Sequence, residues 1–329
     1  MRSLILIALA GAAAQLVDGG IGMGFGVTST TMLLLAGLGP ATASAVVHTS
    51  ELGTTLVSGI SHWRFGNVHW PTVFKLGVPG GISAFLGATL LSNLSLEAAA
   101  PVTSAILVIM GINLVWRFSR PRPKGPGTTR SHSTPFLAGL GVVGGFVDAS
   151  GGGGWGPLST STLMAVGREQ PRRIVGTVNT AEFLVTFGAT AGFIIGLWDQ
   201  IVANAAAVVA LLIGGTITAP IAAWLISRVN PTLLGGFVGT AIVALNVPRA
   251  LGWALPHPVI LGLQIVAVGV GVGLTLWASS RRSRRVREEN QESRHVPGRG
   301  GSRVVASSDP EDSAPEGTES TAPVSINAD

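Results

Sequence analysis

Apolar residues run along this chain in long stretches separated by short polar breaks. The stretches fall at 3–17, 20–37, 41–63, 70–93 and 97–118, then at 136–150, 152–167, 172–198, 201–227, 231–252 and 257–280. Most approach the roughly 20 apolar residues that a bilayer-spanning helix needs. The pattern predicts an all-α polytopic membrane protein. It also divides the chain. A first transmembrane repeat occupies 1–118, a basic linker 119–134, a second repeat with a final helix 135–280, and a tail 281–329. The tail is rich in Arg, Glu, Ser, Gly and Pro, a composition that predicts disorder.

Polar residues set the orientation. The linker carries Arg120, Arg122, Lys124 and Arg130, and the tail opens with Arg281, Arg282, Arg284, Arg285 and Arg287. Both are expected on the cytoplasmic side of a cell (inner) membrane, because short loops rich in Lys and Arg stay inside. The loops near Arg64, Arg168 and Arg228 then also fall inside. Those near Glu97, Asp199 and His257 fall outside, and Arg249 is the main exception. Trp63, Trp70, Trp116, Trp198, Trp253 and Trp277 sit near segment ends, as interfacial aromatics do. Arg2 and the apolar run behind it resemble a secretory signal. A segment of the same kind recurs mid-chain, where no signal peptidase acts.

Composition narrows the class. Of 329 residues only 11% are charged and 47% are hydrophobic, against about 25% charged in soluble domains. The absence of cysteine excludes disulfides, thiolate metal sites and cysteine nucleophiles. The pI near 11.1 is accounted for by cytoplasmic flanks and a tail suited to anionic lipid, so nucleic acid is not an expected partner.

The two halves repeat each other. LVDGGIGMGFGVTSTTMLLLAGLGP at 16–40 aligns with FVDASGGGGWGPLSTSTLMAVGREQP at 146–171, placing Asp148 opposite Asp18. HTSEL at 48–52 aligns with NTAEF at 179–183, placing Glu182 opposite Glu51. An odd number of crossings before the cytoplasmic linker makes the copies inverted. Inverted repeats are a common transporter architecture, with the substrate site near the midplane between them. Duplication kept for packing alone is the competing explanation. The Gly-rich pairs, 3–17 with 20–37 and 136–150 with 152–167, are short, and predict discontinuous or re-entrant helices lining a cavity.

Seven acids precede the tail, and four of them lie in apolar segments: Asp18, Asp148, Glu51 and Glu182. A carboxylate at helix centre costs about 2.5–3.5 kcal/mol. No Lys or Arg lies deep enough to pair with them, so they must be neutral or bind a proton or cation during part of any cycle. His48 shares a helix face with Glu51 and is placed to relay a proton. Asn179 replaces it in the second copy. A purely structural histidine fits equally. The Gly runs supply backbone amides at Gly22, Gly24, Gly152 and Gly154, with Thr49 and Thr180 as matched hydroxyls, a set suited to a small oxyanion. Close helix packing is the competing reading, and the GxxxG spacings at Gly22/Gly26 and Gly188/Gly192 fit it. Trp155, away from any interface, is a candidate to gate or line the cavity.

These paired stretches resemble the sulfite exporter TauE/SafE family. The resemblance covers about 5–278 and rests on the Gly-rich stretch 18–26, PATASAVVHTSE at 40–51, HWRFGNVHW at 62–70, VDASGGGGWGP at 147–157 and RRIVGTVNTAEF at 172–183. It implies a permease for a small anion such as sulfite, an organosulfonate or a carboxylate. The chain is thus expected to be a proton-coupled secondary transporter rather than an enzyme, with no cofactor. A cation or metal permease using the same acids, or a non-transport assembly protein, are the alternatives. No HExxH, cysteine or convincing Ser/His pairing supports catalysis.

Overall fold

The computed structural model describes residues 2–21, 23–120, 132–166, 169–226 and 230–295. Among these, eleven α-helices and no strands are present. In chain order they are α1 (Arg2–Ile21), α2 (Phe25–Leu35), α3 (Pro40–Arg64), α4 (Trp70–Asn93), α5 (Leu96–Ser119) and α6 (Thr134–Gly151). A π-helical turn, Gly156–Thr160, leads into α7 (Ser161–Val166). Then follow α8 (Pro171–Ala203), α9 (Ala205–Ile226), α10 (Pro231–Leu251) and α11 (His257–His295). Met1–Arg285 form one compact unit, and Val286–Asp329 a second, of which only the end of α11 is described.

The helix ends follow from local chemistry. Pro40 starts α3, and α4 and α6 carry Pro in their first turns. A fixed φ and a missing N–H cost nothing there. Ser95 caps α5 by accepting from the Ala98 N–H at 3.3 Å. Asn230 caps α10 by accepting from the Thr232 N–H at 3.0 Å. α8 absorbs a kink at Leu197, where the apolar pattern places the end of one segment.

Burial is arranged as a bilayer demands. On α4, Phe74, Val78, Ile82, Leu86 and Leu90 are exposed, while Gly77, Gly80, Gly81, Ala84, Gly87 and Ala88 face inward. A soluble protein does not expose an apolar surface of this extent. In lipid, close approach of small residues drives helix association instead. Five helices among the described residues are long and apolar enough to cross: Trp70–Asn93, Leu96–Ser119, Arg172–Ala203, Thr232–Leu251 and His257–Arg284. α3 is not one of them, because Ser44, His48, Thr49, Ser50, Glu51, Thr54 and Thr55 stand among its apolar residues.

The main contacts cross between the halves. α1 packs on α9, α6 on α4, α8 on both α4 and α3, and α5 on α10. Exchanging the two copies turns the first pair into the second. Details match as well: Gly11 abuts the Leu211 carbonyl, and Gly141 the Leu76 carbonyl. Gly188 and Gly192 pack on the backbone of α4 at Gly81 and Phe85, which is the packing role their spacing suggested.

Two sequence expectations change. α11 runs on to His295, beyond the boundary at 280, because Arg, Glu and Gln favour helix even where no apolar face drives it. The rest of the tail, 296–329, and linker residues 121–131 lie outside the described residues. The first Gly-rich segment is also longer than expected: α1 has 20 residues.

Candidate functional site

The site is built where each repeat breaks at glycine. After α1 the backbone turns at Gly24, with φ 116°. After α6 it turns at Gly152, Gly153 and Gly154, with φ of 70°, 140° and 156°. Side chains other than glycine rarely adopt these angles. The helices that follow are short. α2 has 11 residues, which is about 16 Å of helix against a hydrocarbon core of about 30 Å. α7 has six residues after its five-residue π turn. The two breaks meet. A Cβ on Gly26 would lie 2.8 Å from the Gly153 Cα and 3.3 Å from Glu51 Oε1. Thr30 of α2 donates to the Gly152 carbonyl across the same contact.

Both aspartates turn out to hold these breaks in place. The Phe25 N–H, the first of α2, hydrogen-bonds to the Asp18 carboxylate. The Trp155 N–H donates to Asp148 Oδ1 at 2.9 Å. Each carboxylate therefore takes an orphan amide at a helix start, where negative charge is favoured. An incoming anion would have to use the amides beyond them.

Asp148 has a second partner. Its Oδ2 lies 3.1 Å from His48 Nε2, with both side chains buried. His48 Nδ1 lies 2.8 Å from the Ser44 carbonyl oxygen, which can only accept. Nδ1 therefore carries a hydrogen, and neutral Nε2 would be an acceptor facing a carboxylate. A hydrogen bond across that 3.1 Å contact therefore requires a hydrogen on one of the two atoms. Ser44 Oγ donates to the Ala149 carbonyl at 2.8 Å, tying this arrangement to the end of α6.

Glu51 and Glu182 come within electrostatic reach of each other and of Asp18 and Asp148. Four acids from α1, α3, α6 and α8 thus converge on the break. Glu51 is 4% exposed. Among the described residues no side chain donates a hydrogen bond to either glutamate. The Glu51 carboxylate stands instead against the first turn of α2 at Gly26.

The remaining candidates are dispersed. Thr49 and Thr180 each donate at 2.7 Å to a carbonyl four residues back, Ala45 and Gly176. Thr180 also faces Gly59 of α3 and lines an apolar cavity of about 150 Å³ with Trp63, Trp70 and Phe74. Asn179 donates to Ser58 Oγ at 3.5 Å, away from the position its alignment partner His48 takes. Trp155 is fully buried, with its indole N–H donating to the Val178 carbonyl at 3.1 Å. It packs on Gly80 and Gly144, so its surroundings are helix backbone. Gly22 lies outside the described residues. Ser29 Oγ and Ser159 Oγ, at matching positions, are fully buried with no hydrogen-bond partner among the described residues. No cluster of His, Asp or Glu among those residues has a metal-binding arrangement.

Sequence reasoning missed two pairs of contacts. Asn246 donates to Thr31 Oγ1 at 3.1 Å, and Arg249 to the Leu34 carbonyl at 3.1 Å. In the other half Ser161 donates to Asn113 Oδ1 at 3.5 Å, and Arg117 Nη2 lies 2.9 Å from Met164 Sδ. An Asn followed by Arg three or four residues on, late in the fifth helix of each copy, was the available signal.

Known proteins place this geometry in context. The sequence profile of the sulfite exporter TauE/SafE family matches residues 7–249, which spans α1 to most of α10. The chain is 42% identical over 286 residues to the probable membrane transporter protein YtnM of Bacillus subtilis (strain 168), covering 85% of this chain and 92% of that one. No solved structure matches. With the match running through both glycine breaks and all four converging acids, the chain belongs to the TauE/SafE family and is a membrane transporter.

Proposed function

We propose that this transporter is a secondary permease for a small anion, of the sulfite, organosulfonate or carboxylate class, driven by protons. Its two repeats are inverted, the linker and tail face the cytoplasm, and one repeat rocks against the other. The exchange of α1/α9 packing for α6/α4 packing supports that symmetry.

One observation carries the proposal. The Glu51 carboxylate stands against Gly26 in the first turn of α2, and no described side chain donates to it. A helix start offers its amides to any anion. An ionised Glu51 occupies that place itself and repels a second negative charge. A protonated Glu51 leaves the place open. Anion entry and proton uptake are thereby linked, with Glu182, within electrostatic reach of Glu51, as a second proton carrier. The His48–Asp148 pair holds a further proton 3.1 Å from one acceptor to the other and provides a store beside the glutamates.

The test is uptake into proteoliposomes of sulfite, sulfonates, sulfate and small carboxylates, with and without a pH gradient. Glu51→Gln and Glu182→Gln should each cut gradient-driven flux by about tenfold or more, the effect of losing a protonatable group, and keep anion binding. Loss of binding that follows cation concentration instead would assign the acids to a cation site and sink the anion reading.

A further inference from the structure

Arg249 breaks the charge rule that orients every other loop, and its contacts give a reason. Its Nη2 donates to the Leu34 carbonyl, one of the last of α2, which also accepts from the Gly37 N–H at 3.1 Å in the turn that ends the helix. A cation at a helix C-terminus is also favoured by the helix dipole. One turn earlier on α10, Asn246 is fully buried. It spans from its own helix, at the Ile242 carbonyl, to Thr31 Oγ1 of α2. The end of α2 is thus gripped at two points by a helix of the other repeat.

The other repeat makes contacts at the matching positions with different chemistry: Asn113 accepts from Ser161 where Asn246 donates to Thr31, and Arg117 meets the Met164 sulfur where Arg249 meets a backbone carbonyl. Thr31 aligns with Ser161 and Leu34 with Met164. These are the residues that Asn113 and Arg117 of α5 reach. Four contacts, each between the fifth helix of one copy and the short helix of the other, obey one exchange. Packing alone does not call for an arginine at both places.

We propose that Asn113 with Arg117, and Asn246 with Arg249, are positioning clamps for the two short helices. Each clamp closes one side of the membrane, and its release opens that side alone. The clamps rest on the inverted arrangement proposed above. Under it Arg117 lies at the cytoplasmic side and Arg249 at the outer side. α2 carries the glycine contact with Gly152 and Gly153, and the segment behind Gly156 follows directly from that break. Freeing the far end of one of them lets it tilt without disturbing its mate.

The chain lacks cysteine, so single-cysteine reporters have no background. Ser29→Cys reports on α2 and Ser159→Cys on the helical turn before α7. Both positions are fully buried at rest. The full chain in sealed vesicles of either orientation is labelled with a charged, membrane-impermeant thiol reagent. Arg249→Gln should raise labelling of the Ser29→Cys reporter from the outer face by about tenfold, the worth of one lost charge-assisted hydrogen bond. Labelling from the inner face should stay unchanged. Arg117→Gln should do the reverse for the Ser159→Cys reporter. Arg249→Lys, which keeps a cationic donor near Leu34, should restore most of the protection. Should Arg249→Gln fail to insert, Thr31→Val removes the Asn246 contact, together with the Thr31 bond to the Val27 carbonyl inside α2, and should open the same face. Equal rises from both faces, or unchanged labelling with lost flux, would overturn the clamps. One-sided labelling from the opposite faces would uphold them and overturn the assigned orientation.

Discussion

At the residue scale, Asp148 has two separable tasks. It fixes the start of the helix after Gly154 through the Trp155 N–H, and it contacts His48 Nε2 at 3.1 Å. Asp148→Ala removes both. It strands a buried amide and a buried imidazole, and the expected loss is about 3–5 kcal/mol, as for one half of a buried ion pair. Asp148→Asn keeps an oxygen for Trp155 and offers an N–H to neutral His48 Nε2. It should hold a near-normal thermal transition in detergent while the transporter loses its response to a pH gradient. A collapse of Tm in both variants would leave Asp148 with a structural task only. The paired glutamates were visible in the sequence because charge in an apolar run stands out. The capping task of the aspartates was not. It depends on a seven-residue chain reversal that returns an amide to its own carboxylate, and alternation of residue types does not encode that.

At the element scale, the glycine breaks tolerate no side chain at their point of contact. Gly153 has φ 140°, and an added Cβ would collide with the backbone at Gly26 and Val27. Gly153→Ala is expected to abolish flux and lower Tm, whereas Gly139→Ala is the opposite case. Gly139 sits inside α6 with nothing within 4 Å of an added Cβ. There the substitution should stabilise by up to about 1 kcal/mol through helix propensity. Thermal unfolding of the two variants side by side checks both signs. Helix boundaries were legible to within a few residues for α3, α4 and α5, since apolar runs end where Pro, Ser and Trp mark the interface. α11 was misjudged after Arg281, because composition reports on burial and not on the helical preference of Arg and Glu. The clamps on α2 and α7 left only a faint trace in the sequence, an Asn with an Arg three or four residues on in each copy. Each joins residues from different copies, and their polar side chains sit among apolar neighbours that carry no periodic signal.

For the whole molecule, neither half owns its core. α1 packs on α9 and α6 on α4. Cutting the chain within 121–131 and producing the halves separately should give fragments that proteases degrade. Producing both together should restore protease resistance and flux. A half that resists digestion alone would show that the crossed packing is dispensable.

That crossed packing sets a timetable for biosynthesis. When α1 leaves the ribosome its partner α9 is still roughly 190 residues away, a wait of about 10–40 s at ordinary elongation rates. Throughout that interval the Gly11 face of α1 must be shielded by lipid or by insertion machinery, since the carbonyl it later abuts has not been made. Slowing translation between α6 and α9 should therefore lower the yield of inserted protein more than the same delay placed after α10.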